Sequence, residues 1–164
     1  MVALAGDIKP PRNAVELEVE DVVPTDRNTN VLLLLHREDH TIVPIQVGES
    51  EAISIAFRLA DKARDRPLTH DLFDRTLFEL GARVVQVHIH ELENEQYHAR
   101  ITLDRGLKGK RRHRVYLDAR ASDAAAIALG NGLPIYMDVE VYERVGLTVD
   151  AMIEKLEQQS ALNP

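Results

Sequence analysis

The stretch from Val85 to Leu103 limits what this chain can become more than any other. Val85, Val87 and Ile89 alternate with Gln86, His88 and His90, Glu93-Asn94-Glu95 turns the chain, and Tyr97, Ala99, Ile101 and Leu103 alternate with His98, Arg100 and Thr102. A period of two sends successive side chains to opposite sides of an extended backbone, so these runs read as a hairpin with one apolar and one polar face. An apolar sheet face needs a cover, and the rest of the chain must supply it. If the turn centres on Asn94, His90 faces His98 and His88 faces Arg100 across the hairpin. His-x-His on a strand is a usable zinc pair, and His98 would then be a third ligand. No carboxylate is evident beside these histidines and Arg100 repels a cation, so a solvated, histidine-rich face is the simpler reading.

The other strands and the cover follow from the same patterns. Ala14 to Glu20 alternates apolar and acidic residues, Val31 to His36 reads as a buried strand, and Thr41 to Val47 as its return after the turn Glu38-Asp39-His40. Pro44 places that return at an edge or a bulge. Gly48 closes it, and Glu49-Ser50-Glu51 opens a helix on Ala52, Ile53, Ala56, Leu59, Ala60 and Ala63. Thr69 reads as the N-cap of a helix on Leu72, Phe73, Leu77, Phe78 and Leu80 that ends at Gly81. Val115 to Leu117 is a strand, Ser122 reads as the N-cap of a helix over 123–129, and Leu133 to Met137 is a last strand. Val139 to Val145 is a short helix, and Thr148 caps an amphipathic helix on Val149, Met152, Ile153 and Leu156. The expected fold is α+β: a single domain, residues 14–146, with a mixed, mostly antiparallel sheet and helices packed against it. Residues 1–13 form a tail, and 147–164 a C-terminal helix and tail.

A chain of 164 residues buries roughly 70% of its unfolded surface on folding, enough for a core without staples. It has no cysteine, which excludes disulfides and thiolate metal sites, and its first residues lack a basic segment followed by an apolar run. The longest apolar run, Val31 to Leu35, is far too short for a bilayer. These features imply a cytoplasmic protein with no membrane segment. Twenty basic against 27 acidic residues give a net charge of −7, the wrong overall sign for gripping a polyanion. The local exception is Arg105, Lys108, Lys110, Arg111, Arg112 and Arg114, a run that reads either as a solvated loop or as phosphate contacts.

One loop and helix start gathers chemistry: Arg66-Pro67-Leu68-Thr69-His70-Asp71-Leu72. Proline ends whatever helix precedes it, and a helix start suits an anionic ligand such as phosphate. An ordinary helix start with two solvated polar residues is the plainer account.

Four motifs in fixed order carry a resemblance. They are Pro44-Ile45-x-Val47-Gly48-x-Ser50-Glu51-Ala52, then Arg66 to Leu72, then Asp118-Ala119-Arg120-x-Ser122-Asp123-Ala124-x-Ala126-Ile127-Ala128, then Pro134-Ile135-Tyr136. Together they resemble the bifunctional nuclease domain of bacteria and plants, over nearly the whole chain from about Val15 to Gly146. The resemblance implies a nuclease acting on DNA and RNA, an α+β fold and a homodimer. Gln46 stands where the family has a bulky aromatic, Ala121 where it has a proline, and the basic hairpin is longer than usual.

Phosphodiester hydrolysis needs an activated water, charge stabilisation on the phosphoryl oxygens and help for the leaving oxygen. On the matching motifs, His70, Asp71, Asp118 and Asp123 are the catalytic candidates. Asp71, Asp118, Asp123 and Glu51, with Glu49 nearby, are hard oxygen donors suited to magnesium or manganese. Arg66, Thr69, Arg120, Ser122, Lys110, Arg111 and Arg112 are the substrate-binding candidates, with Arg66 and Arg120 as bidentate phosphate clamps. Two other readings stay open. Arg120 could pair with Asp71 or Asp118 in a network that only holds helix ends, and the domain could be a non-catalytic dimer that recognises an anionic ligand or a protein partner.

Overall fold

The computed structural model describes residues 8–25, 29–62, 65–106 and 113–161. The strands are β1 (Ala14–Pro24), β2 (Asn30–His36), β3 (Thr41–Val47), β4 (Ala82–Glu93), β5 (Gln96–Arg105), β6 (His113–Arg120), β7 (Ile135–Asp138) and β8 (Leu147–Thr148). The helices are α1 (Glu49–Leu59), α2 (Thr69–Glu79), α3 (Ala121–Asn131), α4 (Val139–Val145) and α5 (Val149–Ala161). All eight strands join one sheet in the order β6-β5-β4-β7-β1-β2-β3-β8. Every pairing is antiparallel except β4 with β7. The fold is a single α+β domain, as the patterning implies.

One face of the sheet carries the core. Leu17, Leu32, Leu34, Val87, Ile89, Ile135 and Met137 are fully buried there beneath α1 and α3. Helix α3 is the centre of the cover, since Ala121, Ser122, Ala124, Ala125, Ala126, Ile127 and Ala128 are all buried. A helix surrounded on every side has no polar stripe, and its alanines let α1, α2 and the sheet approach closely. Its end is fixed by Gly132 in the left-handed region, φ 62°. Gly130 serves a different purpose, because a Cβ there would overlap the Arg58 guanidinium.

Several local expectations move by a residue or a face. Thr69 is the first residue of α2 and Leu68 its N-cap, with no side-chain cap. The cap's amide is answered instead by Asp71, whose Oδ2 accepts from Leu68 N–H at 2.8 Å. Ser122 likewise lies inside α3, whose N-cap is Arg120. Ala121 is the first helical residue, the position proline suits. Pro44 sits opposite Leu33, on a strand whose outer edge is paired to β8 only at Thr41 and Ile42, so its missing N–H falls on an edge. Thr148 caps α5, its Oγ1 accepting from Ala151 N–H at 3.2 Å, and Met152 is buried while Val149 and Ile153 stay exposed.

The hairpin register differs in one respect that matters. His88 does face Arg100, but a bulge between Ile89 and Glu91 puts Glu91, not His90, opposite His98. The three histidines therefore do not form one set. His88 Nε2 lies 2.7 Å from Asp138 Oδ1 at the end of β7, a carboxylate that no sequence spacing revealed. The His90 ring stands edge-on to His88 at 6.0 Å, and burial, helped by Arg100 and His88, lowers its affinity for a proton.

Candidate active site

Three of the four motif segments meet where β3 ends and α1 and α3 begin. Strand β3 delivers Ile45, Gln46, Val47 and Gly48 beside β6, whose last residues Asp118, Ala119 and Arg120 run directly into α3. With Ser122 and Asp123 from α3 and Glu95 to His98 from the β4–β5 turn, they line a cleft of about 590 Å³. Gln46 is an exposed wall of that cleft, so the missing aromatic bears on the pocket rather than on the core.

A chain of polar contacts closes the inner side. Ser54 Oγ lies 3.0 Å from His70 Nδ1, and His70 Nε2 lies 3.2 Å from Asp123 Oδ1. Asp123 accepts from Arg120 through Nε at 2.8 Å and Nη2 at 3.0 Å, and Arg120 Nη2 also donates to Glu51 Oε1 at 2.7 Å. An ionised Asp123 has no proton to give, so the His70 Nε2–H donates to it. Burial works against the Asp123 charge, but the hydrogen bonds from Arg120 and His70 outweigh it and hold its carboxyl below the usual carboxylate range. The hydrogen bonds to Asp123 and then Glu51 push the Arg120 guanidinium further up. Ser54, His70 and Asp123 have the composition of a nucleophilic triad, yet Ser54 is only 1% exposed and no substrate reaches it. Its role is to orient the histidine.

Asp71 belongs to a second network one turn deeper. Arg58 Nη2 donates to Asp71 Oδ1 at 3.0 Å and to Asp74 Oδ2 at 2.8 Å, and its Nη1 donates to the Ala126 carbonyl at 2.6 Å. Asn131 Nδ2 adds a bond to Asp74 Oδ1 at 3.0 Å. This set ties α1, α2 and α3 together behind the cleft. A helix-tying ion network thus exists, but Arg58 is its cation for Asp71, and Arg120 pairs with Asp123 and Glu51 rather than with Asp71 or Asp118.

The sequence candidates sort accordingly. His70, Asp123, Arg120 and Glu51 come together, Ser122 and Asp118 line the cleft beside them, and Asp71 faces away into the helix junction. Arg66 and Thr69 are exposed and do not line the cleft. Glu49 is exposed at the start of α1. Lys110, Arg111 and Arg112 lie outside the described residues. Sequence patterning alone does not mark Ser54, Arg58 or His98 as part of this site. Once the inner face of α1 is known, a serine and an arginine four residues apart on it point to the first two.

Among the described residues, no three His, Asp or Glu side chains converge as ligands for an ion. Asp123 and Glu51 are already answered by Arg120, and Asp71 by Arg58. As arranged, these donors do not fit a preformed magnesium or manganese site.

Fold and site together define a small α+β domain with an open polar cleft at the start of its central helix. The sequence profile of the bifunctional nuclease domain matches residues 32–150, and the chain belongs to that family. Two relatives, both from Mycobacterium tuberculosis, are each 35% identical over 127 residues, 77% of this chain and 73% of their own length. They are called Uncharacterized protein MT1877, in strain CDC 1551 / Oshkosh, and Uncharacterized protein Rv1829, in strain ATCC 25618 / H37Rv. Among the described residues, no helix is long and apolar enough to cross a membrane.

Proposed function

We propose that this domain is a nuclease that hydrolyses phosphodiester bonds of DNA and RNA at the cleft between the starts of α1 and α3. The observation that carries the reading is the convergence of three separate motif segments on one hydrogen-bonded chain, His70–Asp123–Arg120–Glu51, at the mouth of that cleft. The Arg120 side chain is 66% exposed, so its guanidinium can exchange a carboxylate for a phosphoryl oxygen and stabilise charge that builds there. An Asp123 released by that exchange, held in place by His70, accepts a proton from an attacking water. Ser122 supplies a hydroxyl and Asp118 a second carboxylate to the same space. Since Asp118, Asp123 and Glu51 do not form a ready ion site, magnesium or manganese enters only as a variable of the assay and no step is assigned to it. Arg66 and Thr69 would serve as phosphate contacts outside the cleft, and Lys110, Arg111 and Arg112 would contact phosphate as well. A homodimer in the cytoplasm is the setting that the resemblance and the absence of cysteine favour.

The lining supports one competing reading. Glu95, Asp118 and Asp123 outnumber Arg120 there, a balance that suits a cationic or neutral polar ligand better than a polyanion. A dimeric, non-catalytic binding domain is the form that reading takes.

The discriminating experiment is cleavage of single-stranded DNA and RNA by highly purified protein with magnesium, manganese or chelator, beside folded His70→Ala and Asp123→Ala variants. Activity that both variants lose supports the nuclease and its centre. Activity that persists in them places cleavage elsewhere, and no cleavage in any lane selects the non-catalytic domain.

A further inference from the structure

The two ends of the sheet are protected unequally. At one end β8 is two residues long, too short to template another chain. At the other, β6 runs eight residues in unbroken register with β5, without bulge or proline, and among the described residues its outer edge has no strand partner. Edges of that length are ordinarily blunted, because their free N–H and C=O groups recruit another strand. The side chains along β6 alternate cleanly. Arg114, Tyr116 and Asp118 are exposed, Val115, Leu117 and Ala119 lie half-buried against the core, and Arg120, at the end of the strand, turns to Asp123 and Glu51. Tyr116 is 62% exposed at the middle of the strand.

We propose that β6 joins two copies of this chain, pairing antiparallel with itself about a two-fold axis at Tyr116. This names the interface of the homodimer proposed above and rests on that assembly, not on catalysis. An axis perpendicular to the sheet keeps both copies' helices on the same side, so a residue meets only residues of its own face. With the axis at Tyr116, the two tyrosines meet, Arg114 faces Asp118 of the partner subunit, and Val115 faces the partner's Leu117. Each contact occurs twice. The strand is self-complementary in charge and in apolar packing in this register. Moving the axis to Leu117 would set Tyr116 against the partner's Asp118 and leave Arg114 with no carboxylate opposite it, which selects against the slip. Arg114 and Asp118 are both exposed and make no ion pair among the described residues, so each is available.

Sedimentation of the full chain tests this, with mass rather than activity as the readout. The unmodified protein is a dimer at micromolar concentration. Arg114→Asp and Asp118→Arg singly raise the dissociation constant about tenfold or more, and the double variant, which restores opposite charges, returns it to within about threefold. A monomeric unmodified protein would overturn the homodimer itself. A dimer indifferent to both single variants would leave the dimer standing and overturn this interface. Should a variant fail to fold, hydrogen exchange on the unmodified protein decides. Amides of 113–120 become more protected as concentration rises across the dissociation range, and protection that does not change with concentration in a sedimenting dimer refutes the edge pairing.

Discussion

Two arginines bracket α3, each holding two carboxylates, and they do opposite things. The Arg58 side chain is 7% exposed and joins Asp71, Asp74 and the Ala126 carbonyl, whereas the Arg120 side chain is 66% exposed and joins Asp123 and Glu51. The chemistry is the same and the solvent is not. A buried guanidinium cannot leave two half-buried carboxylates without leaving their charges poorly compensated, so the Arg58 set holds helices in place. An exposed one exchanges partners at little cost, so the Arg120 set can turn toward a ligand.

That contrast is open to direct tests. Arg58→Ala removes the buried guanidinium that Asp71 and Asp74 share, and denaturant unfolding should register a loss of about 3–5 kcal/mol. A loss below about 1 kcal/mol would mean that the junction is wetter than its geometry shows. Arg120→Ala should change stability by no more than about 1 kcal/mol. In a cleavage assay on single-stranded substrate, the same variant should fall about 100-fold, the usual worth of one charge-stabilising donor. Equal activity in variant and parent would remove Arg120 from the chemistry.

Smaller effects sharpen the comparison. Ser54→Ala deprives buried His70 Nδ1 of its partner, and thermal or chemical unfolding should show a cost of about 1–3 kcal/mol. The least of the four is a pH effect. Asp123 has a folded pKa held below its ordinary value of about 3.9, so its contribution is fully present above that pH and is lost as the pH falls through the folded value. Melting temperatures recorded from about pH 6 to about pH 3 should therefore fall less steeply for Asp123→Asn than for the parent. Parallel acid limbs would show that Asp123 is not held in its charged form by Arg120.

What could be read in advance was whatever depends on local periodicity. The β4–β5 hairpin, the presence of α1 and the limits of α4 needed only neighbouring residues, and they stand in the structure, whereas their faces are less regular, since Thr102 is buried and Ile53 is exposed. The His90–His98 pairing failed because one bulge, invisible to a rule of alternation, displaced every later pair in that hairpin. Thr69 and Ser122 failed as caps because residues one or two positions earlier already hold the extended backbone, Leu68 and Arg120 respectively. In the site, His70, Asp123, Arg120 and Glu51 were legible as residue types on motifs, but their partnership spans 69 positions and needed the fold. Asp71 looked equivalent to Asp123 in sequence. The two are equally buried, and only their partners, Arg58 and Arg120, distinguish them.

The four-residue strand β7 lies between β4 and β1, the inner strands of two halves that are otherwise built from consecutive hairpins. The hairpin β4–β5 and the meander β1–β2–β3 can each zip from local turns, but nothing joins them until residues 135–138 are threaded between. On a ribosome the completed β1–β2–β3 half would wait with an open inner edge while residues 48–134 were made and the β4–β5 hairpin while residues 106–134 were made, and closure would come late and all at once. The refolding rate should answer to substitutions in these four residues more than to any in the hairpins they unite.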